Sequence, residues 1–368
     1  MTAEQPRVLI ATLSLTGLGG TDHYTRDLAV ALLHAGWLPI VYATYPGIVG
    51  DALRQATIPV ITRLDQLSTP PAIIHGHHTL QTLSALMHFP TTPAVFVCHD
   101  ALTWHSIPPR SPRIGAYAAV DRNCRDRMIS EHGIPEQLIQ VMPNAVALRR
   151  FPPRSKLPSK PRRALVFSNQ AKESTWVAPI RSACGRHGIE LDVIGLGSGR
   201  YVDEPETVLG KYDLVFGKAR CALEALATGT AVIVCDAAGL AGMVTSDNVA
   251  ELRQLNFGAR TLASAITSDA VEEQILRYDP DDAARVSETI RRTADVETLA
   301  TQFIALYDEV RVSPRSVSAG EEFRSVADSL ENLSVAVHMP PAHSVVRRMG
   351  RWLANSRGAS MLARLIRR

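Results

Sequence analysis

The stretch that decides the fold is VLIATLSLTGLGGTDHYTRDLAVALLHAGWLPIVYA, residues 8–43. A short apolar run at 8–11 leads into a glycine-rich loop at 16–22, and apolar residues at helical spacing follow the loop. Gly36 ends that helix, and a second apolar run begins at residue 38. The order strand, glycine loop, helix, strand is the unit from which parallel sheets are built.

Apolar runs separated by helical segments recur along the whole chain. Further strands are predicted at 72–74 and 94–98, and then at 164–167, 191–194, 212–215 and 231–235. A helix is predicted at 219–228. The sequence therefore predicts an α/β fold with two Rossmann-like, doubly wound parallel-sheet domains that face a cleft. Ligands of such sheets bind beyond the carboxyl ends of the strands.

Chain length and one proline-rich segment set the domain boundaries. The 368 residues exceed what one hydrophobic core organises. Residues 151–163, FPPRSKLPSKPRR, have no periodicity and predict a linker between a domain at 1–150 and a domain at 164–312. Residues 313–368 are predicted to form a loose polar connection followed by a basic amphipathic tail.

Charge is distributed unevenly between the body and that tail. The net charge is +3, but residues 344–368 hold seven arginines and no acidic residue, so the body is mildly acidic. Residues 345–353 and 361–366 place apolar side chains opposite arginines, which predicts two short amphipathic helices. We expect the tail to bind an anionic membrane surface and expect no nucleic-acid partner. A tail that packs on the body or stays disordered is the alternative.

Cysteine usage bears on the cellular compartment. The five cysteines are odd in number, widely spaced and never in a C-x-x-C pair, which argues against a disulfide framework and a zinc module. No apolar run reaches the length of about 20 residues that a membrane-spanning helix needs. The first apolar run lacks the basic start and the cleavage site of a signal peptide. We therefore expect a cytoplasmic protein, peripheral on the inner face of the cell membrane.

The glycine-rich loop at 16–22 is the first candidate site. Glycines between a strand and a helix let backbone N–H groups approach a phosphate at the positive helix end. A dinucleotide-binding fingerprint requires a third glycine where this chain has Asp22, so a dehydrogenase is disfavoured. A tight turn that needs positive φ is the structural alternative.

Histidines follow two of the predicted strands. His75, His77 and His78 suggest a metal triad, but neighbouring residues on a strand point to opposite faces and no carboxylate or cysteine completes the set, so we predict no metal. His99 and Asp100 end the next strand, where a side chain would emerge at the cleft. A buried structural histidine is the alternative for His99.

The segment FGKARCALEALATGT, residues 216–230, is the most informative stretch for chemistry. A strand end delivers Lys218 and Arg220 to a helix N-terminus, and Glu224 follows one turn later, where it would accept hydrogen bonds from ribose hydroxyls. The alternative is an Arg220–Glu224 surface pair worth a few tenths of a kcal/mol. The helix around Glu224 is almost wholly apolar, which argues against a solvated carboxylate.

These stretches, in this order, resemble the GT-B glycosyltransferases of family 4, over roughly residues 7–310. The resemblance is carried by the glycine loop with its helix, IHGH at 74–77, VCHD at 97–100, VMPNAV at 141–146 ending at Phe151, VIGLG at 193–197 and EALATG at 224–229. It implies retaining transfer of a sugar from a nucleotide-sugar, UDP- or GDP-linked, to a glycan or lipid-linked acceptor. It implies no metal and no cofactor, and a role in cell-surface polysaccharide or glycolipid synthesis.

The resemblance also implies roles for individual residues. The N-terminal domain would bind the acceptor and the C-terminal domain the nucleotide-sugar, with His99 beside the reacting carbon and Glu224 holding the ribose. The implied donor residues are Gly19, Gly20, Lys172, Lys218, Arg220, Glu224, Gly239 and Leu240. The implied acceptor-side residues are His77, Asp100 and Asn144.

Three positions depart from the family pattern. Phe216 stands where the first glutamate of the E-x7-E motif belongs, Ser168-Asn169 replaces the Gly-Arg of the diphosphate clamp and leaves only Lys172, and Gly242 replaces a loop glutamate. We expect Lys218 and Arg220 to take over the clamp. Two alternative functions stay open: a catalytically silent partner that binds a nucleotide-sugar or glycan, and a sugar-nucleotide epimerase, which the lost carboxylate at 216 disfavours.

Overall fold

The first sheet has seven parallel strands. The computed structural model describes residues 5–100, 103–312 and 317–338. The strands are β1 Arg7–Ser14, β2 Leu38–Tyr45, β3 Val60–Ile61, β4 Ile73–Gly76, β5 Ala94–Cys98, β6 Ile114–Ala119 and β7 Ile139–Val141. Their order in the sheet is β3-β2-β1-β4-β5-β6-β7, so the chain winds outward from β1 in both directions. The strands predicted near residues 8, 38, 72 and 94 are confirmed.

Four helices connect these strands: α1 Gly20–His34, α2 Ile48–Gln55, α3 Thr79–His88 and α4 Arg122–Ser130. The central strands are apolar on both faces, because helices cover both sides of a doubly wound sheet. Leu9, Ile10 and Phe96 are accordingly fully buried. All the loops at the carboxyl ends of these parallel strands lie along one edge of the sheet.

The second sheet has five strands: β8 Arg163–Phe167, β9 Glu190–Ile194, β10 Leu214–Gly217, β11 Ala231–Asp236 and β12 Gly239–Met243, in the order β12-β11-β10-β8-β9. Its helices are α5 Ala178–Arg186, α6 Ala219–Ala227, α7 Val249–Gln254, α8 Ser268–Ile275 and α9 Pro280–Thr293. The sequence predicts a parallel sheet, and four of the five strands agree, but the edge strand β12 runs antiparallel to β11. Residues 151–162 contain no helix or strand.

Helix α10, Val296–Val312, departs from the predicted domain boundary. Phe303 and Tyr307 of this helix are fully buried in the core of the first sheet, although residues 164–312 were assigned to the second domain. A Cβ atom at Gly115 of β6 would lie 2.8 Å from Val310 Cγ1, so a glycine is needed where α10 approaches the strand. The apolar spacing of α10 gave no indication of which core it covers.

The last described helix, α11, Ala319–His338, corrects a second prediction. This segment was predicted as a loose polar connection, but Ser318 and Glu321 cap each other at its start, with Ser318 Oγ to Glu321 Oε2 at 2.7 Å. Helix α11 forms a compact unit with 109–112, where Ser329 Oγ accepts a hydrogen bond from the Arg110 amide. The predicted tail at 344–368 lies outside the described residues.

Among the helices of the described ranges, none is both long and apolar enough to span a bilayer.

Candidate functional site

A cavity of about 260 Å³ lies between the carboxyl edges of the two sheets. The first domain contributes the glycine loop and the first turns of α1, namely Gly17, Leu18, Gly19, Gly20, His23 and Arg26. The second domain contributes residues that follow β8, β9, β10 and β11, including Ser168, Asn169, Gly195, Tyr201, Lys218, Arg220, Glu224 and Asp236. The structure therefore brings together five of the predicted donor residues: Gly19, Gly20, Lys218, Arg220 and Glu224.

Two helix N-termini end at this cavity. The N-cap residues are Gly19 for α1 and Lys218 for α6, and neither makes a side-chain capping bond. The first N–H groups of a helix have no intrahelical acceptor and carry the positive end of the helix dipole. A Cβ atom at Gly20 would meet no heavy atom within 4 Å, so the backbone there is open to an approaching group. The first amide of α6, at Ala219, already donates to the Phe257 carbonyl at 2.9 Å, but the positive dipole of both helix ends still favours an anion in the cavity.

Asp22 fixes the shape of the glycine loop. Its Oδ2 accepts a hydrogen bond from the Gly17 amide at 2.8 Å and from the hydroxyls of Ser14 and Thr16 at 3.3 Å each. Burial raises the pKa of Asp22, while these hydrogen bonds oppose the rise. The residue that breaks the dinucleotide fingerprint therefore has a structural role in this loop. Gly17 itself has φ +88°, as the tight-turn alternative required.

The second domain binds the backbone of this loop directly. Tyr201 donates its hydroxyl to the Gly17 carbonyl at 2.8 Å, and Asn169 Nδ2 donates to the Leu18 carbonyl at 3.0 Å. His23 Nε2 lies 3.0 Å from the Gly17 carbonyl and must be the donor, since a carbonyl only accepts. Burial, followed by the charges of Arg220 and Arg26, lowers the pKa of His23 to about 4. The ring is thus neutral and is protonated on Nε2.

A partly buried group of alternating charges borders the cavity and is named here the Asp27 cluster. Its members are Arg26, Asp27, Arg150, Glu206, Arg220 and Glu224. Arg220 forms ion pairs with Asp27 and with Glu224, the latter at 2.6 Å, and Arg150 Nη1 lies 3.1 Å from Asp27 Oδ1. The predicted alternative of an Arg220–Glu224 pair is correct as a contact but wrong as a surface pair, because Glu224 is 4% exposed.

The electrostatics of Glu224 follow from this burial. Desolvation, aided by the nearby charge of Asp27 and opposed by Arg220, raises the pKa of Glu224 to about 7. Burial disfavours the charged guanidinium of Arg220, but Glu224 and Asp27 outweigh that effect and raise the pKa of Arg220 above its ordinary value. Arg220 therefore keeps its charge near neutral pH, while Glu224 holds its proton more tightly than an exposed glutamate does.

The end of strand β10 directs Lys218 and Phe216 to different surroundings. Lys218 forms an ion pair with Asp236 at the end of β11; Asp236 is almost fully buried, and the lysine side chain is one-third exposed. Phe216 points away from the cavity and is fully buried in the core of the second sheet. The position of the first motif glutamate is thus occupied by a core residue.

His77 and His99 meet in a buried aromatic group, named here the histidine cluster: Tyr24, His75, His77 and His99. The ring centroids of His77 and His99 are 4.7 Å apart, and Tyr24 contacts His99 edge-on at 4.6 Å. Burial lowers the pKa values of His75 and His99 to about 3. The Nε2 atoms of all three histidines and the Tyr24 hydroxyl are buried without a hydrogen-bond partner among the described residues.

Helix α1 orients this cluster. Thr25 Oγ1 donates to the Thr21 carbonyl at 2.8 Å and lies 2.9 Å from His77 Nδ1. The threonine hydroxyl has one proton, so both contacts are satisfied when His77 carries its proton on Nδ1. The lone pair of His77 Nε2 then faces the cluster. Within the described ranges, no three His, Cys, Asp or Glu side chains form a group able to hold a metal ion.

The structure does not bring the remaining predicted residues to the cavity. Lys172 is exposed before a short helical segment at Glu173–Val177. Gly239 and Leu240 lie in β12, where Leu240 is buried and its amide bonds the Ser264 carbonyl at 2.8 Å. These two residues therefore belong to an edge strand that pairs with β11.

Two predicted acceptor-side residues have backbone roles. The Asp100 carbonyl accepts a hydrogen bond from Arg127 Nη1 at 2.8 Å, and the Asn144 carbonyl accepts one from Arg253 Nη1 at 3.0 Å. The Oδ1 atom of Asn144 is buried without a hydrogen-bond partner among the described residues.

Several residues at the site were not predicted. Tyr24 and Asp27 follow Gly20 at helical spacing, so all three lie on one face of α1. That spacing was available in the sequence and would have identified both residues as candidates. The contacts of Tyr201, Asn169 and Arg150 join segments more than a hundred residues apart, and no local pattern marks them.

Several solved structures have a fold similar to that of this chain. A glycosyltransferase from Rickettsia africae matches with a TM-score of 0.60 at 12% identity, over 83% of this chain and 99% of that chain. Anabaena Alr3699/HepE, solved in complex with UDP and glucose, matches with a TM-score of 0.58 at 14% identity, over 83% and 100%. The lipopolysaccharide outer core galactosyltransferase WaaB matches with a TM-score of 0.51 at 12% identity, over 82% and 99%.

These neighbours have the GT-B fold, and the predicted α/β class with two Rossmann-like domains is confirmed. No protein-family profile and no curated protein matches this chain. At such low identity the likeness establishes the fold alone, and any activity must be argued from the cavity.

Proposed function

We propose that this protein transfers a sugar from a nucleotide-sugar to an acceptor. One observation carries the proposal: two helix N-termini without side-chain caps converge on one cavity, together with Lys218 and Arg220. Backbone N–H groups and fixed cations at one point form a site for a diphosphate. The cavity lies between two sheets of the GT-B fold, where such a donor would meet an acceptor.

The chemistry follows from charge development. As the bond between sugar and diphosphate breaks, the leaving diphosphate gains negative charge, so preorganised donors stabilise the transition state more than the ground state. In this proposal the helix ends, Lys218 and Arg220 supply that stabilisation without a metal or a cofactor. Glu224 lines the same cavity and would hold the ribose. His99 lies in the histidine cluster after β5 rather than in the cavity lining, and it would lie beside the reacting carbon of a sugar that reaches from the cavity to that cluster.

The finer assignments rest on the sequence. We propose UDP or GDP as the nucleotide, and UDP is to be tested first because the Anabaena protein of similar fold was solved with UDP. Transfer with retention, a glycan or lipid-linked acceptor, and a role in cell-surface polysaccharide or glycolipid synthesis complete the proposal. The arginine-rich tail at 344–368 would hold the protein peripherally on the inner face of the cell membrane.

A second candidate function is a binding partner without catalysis of its own. Two observations favour it: Phe216 fills the position of the first motif glutamate, and Lys218 and Arg220 already form ion pairs with protein carboxylates. Such a protein would bind a nucleotide-sugar without breaking the bond between its sugar and its diphosphate.

One experiment separates the two candidates. The full chain is incubated with a panel of UDP- and GDP-sugars, and both binding and release of free nucleotide are measured. Turnover supports the transferase, tight binding without release supports the silent partner, and neither binding nor release contradicts both. A Lys218→Gln variant tests whether the cavity is responsible, since it should weaken binding to the same sugars.

A further inference from the structure

Arg26 is a third cation at the cavity, and it comes from the opposite domain to Lys218 and Arg220. It lies on α1, six residues after Gly20, which is about 9 Å along the helix axis at 1.5 Å per residue. Side chains on a helix point back towards its N-terminus. This general direction agrees with the place of Arg26 in the lining of the cavity that the glycine loop borders.

The bonding of Arg26 differs from that of the other cations. Its Nε donates to Asp27 Oδ1 at 3.0 Å, and its side chain keeps 17% exposure beside the cavity. Arg150 also bonds Asp27 but uses two further nitrogens on Glu206, and it does not line the cavity. Only the Nε edge of Arg26 is engaged with Asp27.

The number of carboxylate partners also distinguishes Arg26 from Arg220. Arg220 pairs with two carboxylates, and Lys218 pairs with Asp236. Asp27, the carboxylate that Arg26 bonds, is shared among three guanidiniums, and the charges of Glu206 and Glu224 also act on Arg26 at longer range. Of the two cavity-lining arginines in the described ranges, Arg220 pairs with two carboxylates and Arg26 with one, through Nε. The outer edge of a guanidinium suits two phosphate oxygens.

We propose that Arg26 binds the diphosphate of the donor, so that the clamp is divided between the two domains. This inference rests on the proposed nucleotide-sugar function and adds a residue and a ligand group to it. It supplies the guanidinium that Ser168-Asn169 does not provide after β8. Because Arg26 and Arg220 lie on different domains, a bound diphosphate would draw α1 and α6 together.

The test compares Arg26→Gln with Arg150→Gln, since both variants remove a guanidinium from Asp27 but only Arg26 lines the cavity. UDP, UMP and inorganic pyrophosphate are titrated calorimetrically into each full-length variant, with thermal unfolding as a check on folding. We expect Arg26→Gln to weaken UDP and pyrophosphate about tenfold and UMP less than threefold, and Arg150→Gln to change all three less than threefold. Arg26→Lys should restore part of the loss, because it keeps the charge.

The possible results distinguish a failure of the Arg26 contact from a failure of the proposed nucleotide-sugar function. If the wild type binds UDP and Arg26→Gln binds it equally well, the role of Arg26 is refuted while the nucleotide site stands. Equal losses for UMP and UDP, or equal losses in Arg26→Gln and Arg150→Gln, also refute a specific diphosphate contact. If the wild type binds neither UDP nor pyrophosphate, and GDP titrated in the same way does not bind either, the proposed function fails and the clamp with it. If Arg26→Gln does not fold, Arg26→Lys decides by the ratio of its UDP loss to its UMP loss.

Discussion

Glu224 is expected to make the stability of this protein fall as the pH rises through neutrality. Burial raises its pKa from an ordinary 4.5 to about 7 in the folded state. The folded protein thus holds the Glu224 proton more tightly than the unfolded chain, so its contribution to stability is complete below pH 4.5 and is lost as the pH rises through 7. A difference of roughly 2.5 pH units corresponds to about 3 kcal/mol.

Glu224→Gln isolates this contribution because glutamine imitates the protonated carboxyl and leaves the Arg220–Asp27 pair in place. At pH 5 the variant and the wild type should have similar unfolding free energies. At pH 8 the variant should be more stable by about 3 kcal/mol, since the wild type then carries a buried carboxylate. Urea unfolding at both pH values measures the difference, and the exposed Glu309 supplies a Glu309→Gln control.

The reasoning is refuted if the wild type and Glu224→Gln lose stability in parallel between pH 5 and pH 8. A parallel loss would mean that Arg220 compensates the carboxylate fully, as in a well-paired buried salt bridge. A pH dependence that Glu309→Gln also abolishes would place its origin outside the cavity.

Four further predictions concern the proposed site and tail. Glu224→Gln should weaken nucleotide binding about 10- to 150-fold if Glu224 accepts ribose hydrogen bonds, and an unchanged calorimetric affinity would contradict that role. His99→Ala should lower kcat more than donor affinity, and steady-state kinetics beside calorimetry would expose the reverse. Gly20→Ala should leave thermal stability nearly unchanged, since its methyl group meets open space, yet weaken UDP binding where the phosphate approaches; equal affinity would remove the loop from the site. The 1–343 truncation should pellet less than the full chain with anionic vesicles, and equal pelleting would exclude the tail as a membrane anchor.

The sheets were predictable from sequence because their signal is local. Buried parallel strands are short apolar runs, and the glycine loop and Gly36 mark the ends of α1 without reference to the rest of the chain. The same locality explains the errors. Helix α10 has the right period but no signal for which core it covers, and α11 has a polar composition that concealed its Ser318–Glu321 cap.

The site was predictable where its residues lie on the loop or the first helical turns that follow a strand. Gly20, Lys218 and Glu224 reach the cavity because they lie on the segments that follow β1 and β10. Gly239 lies in the edge strand β12, which pairs with β11, and its motif gives no indication of this strand. The pair between Arg220 and Asp27 joins residues 193 positions apart, which no periodicity encodes.

Helix α1 connects the donor cavity with the histidine cluster, although the sequence patterns predict these two sites separately. Its first turn borders the cavity through Gly20, its second turn presents Tyr24 to His99, and the next residues bring Asp27 to Arg220. The three residues lie within two turns of one 15-residue helix, so they move together when the helix moves. Any displacement of α1 that alters the Asp27–Arg220 pair must therefore also shift Tyr24 against His99, so the donor cavity and the histidine cluster share one positional constraint.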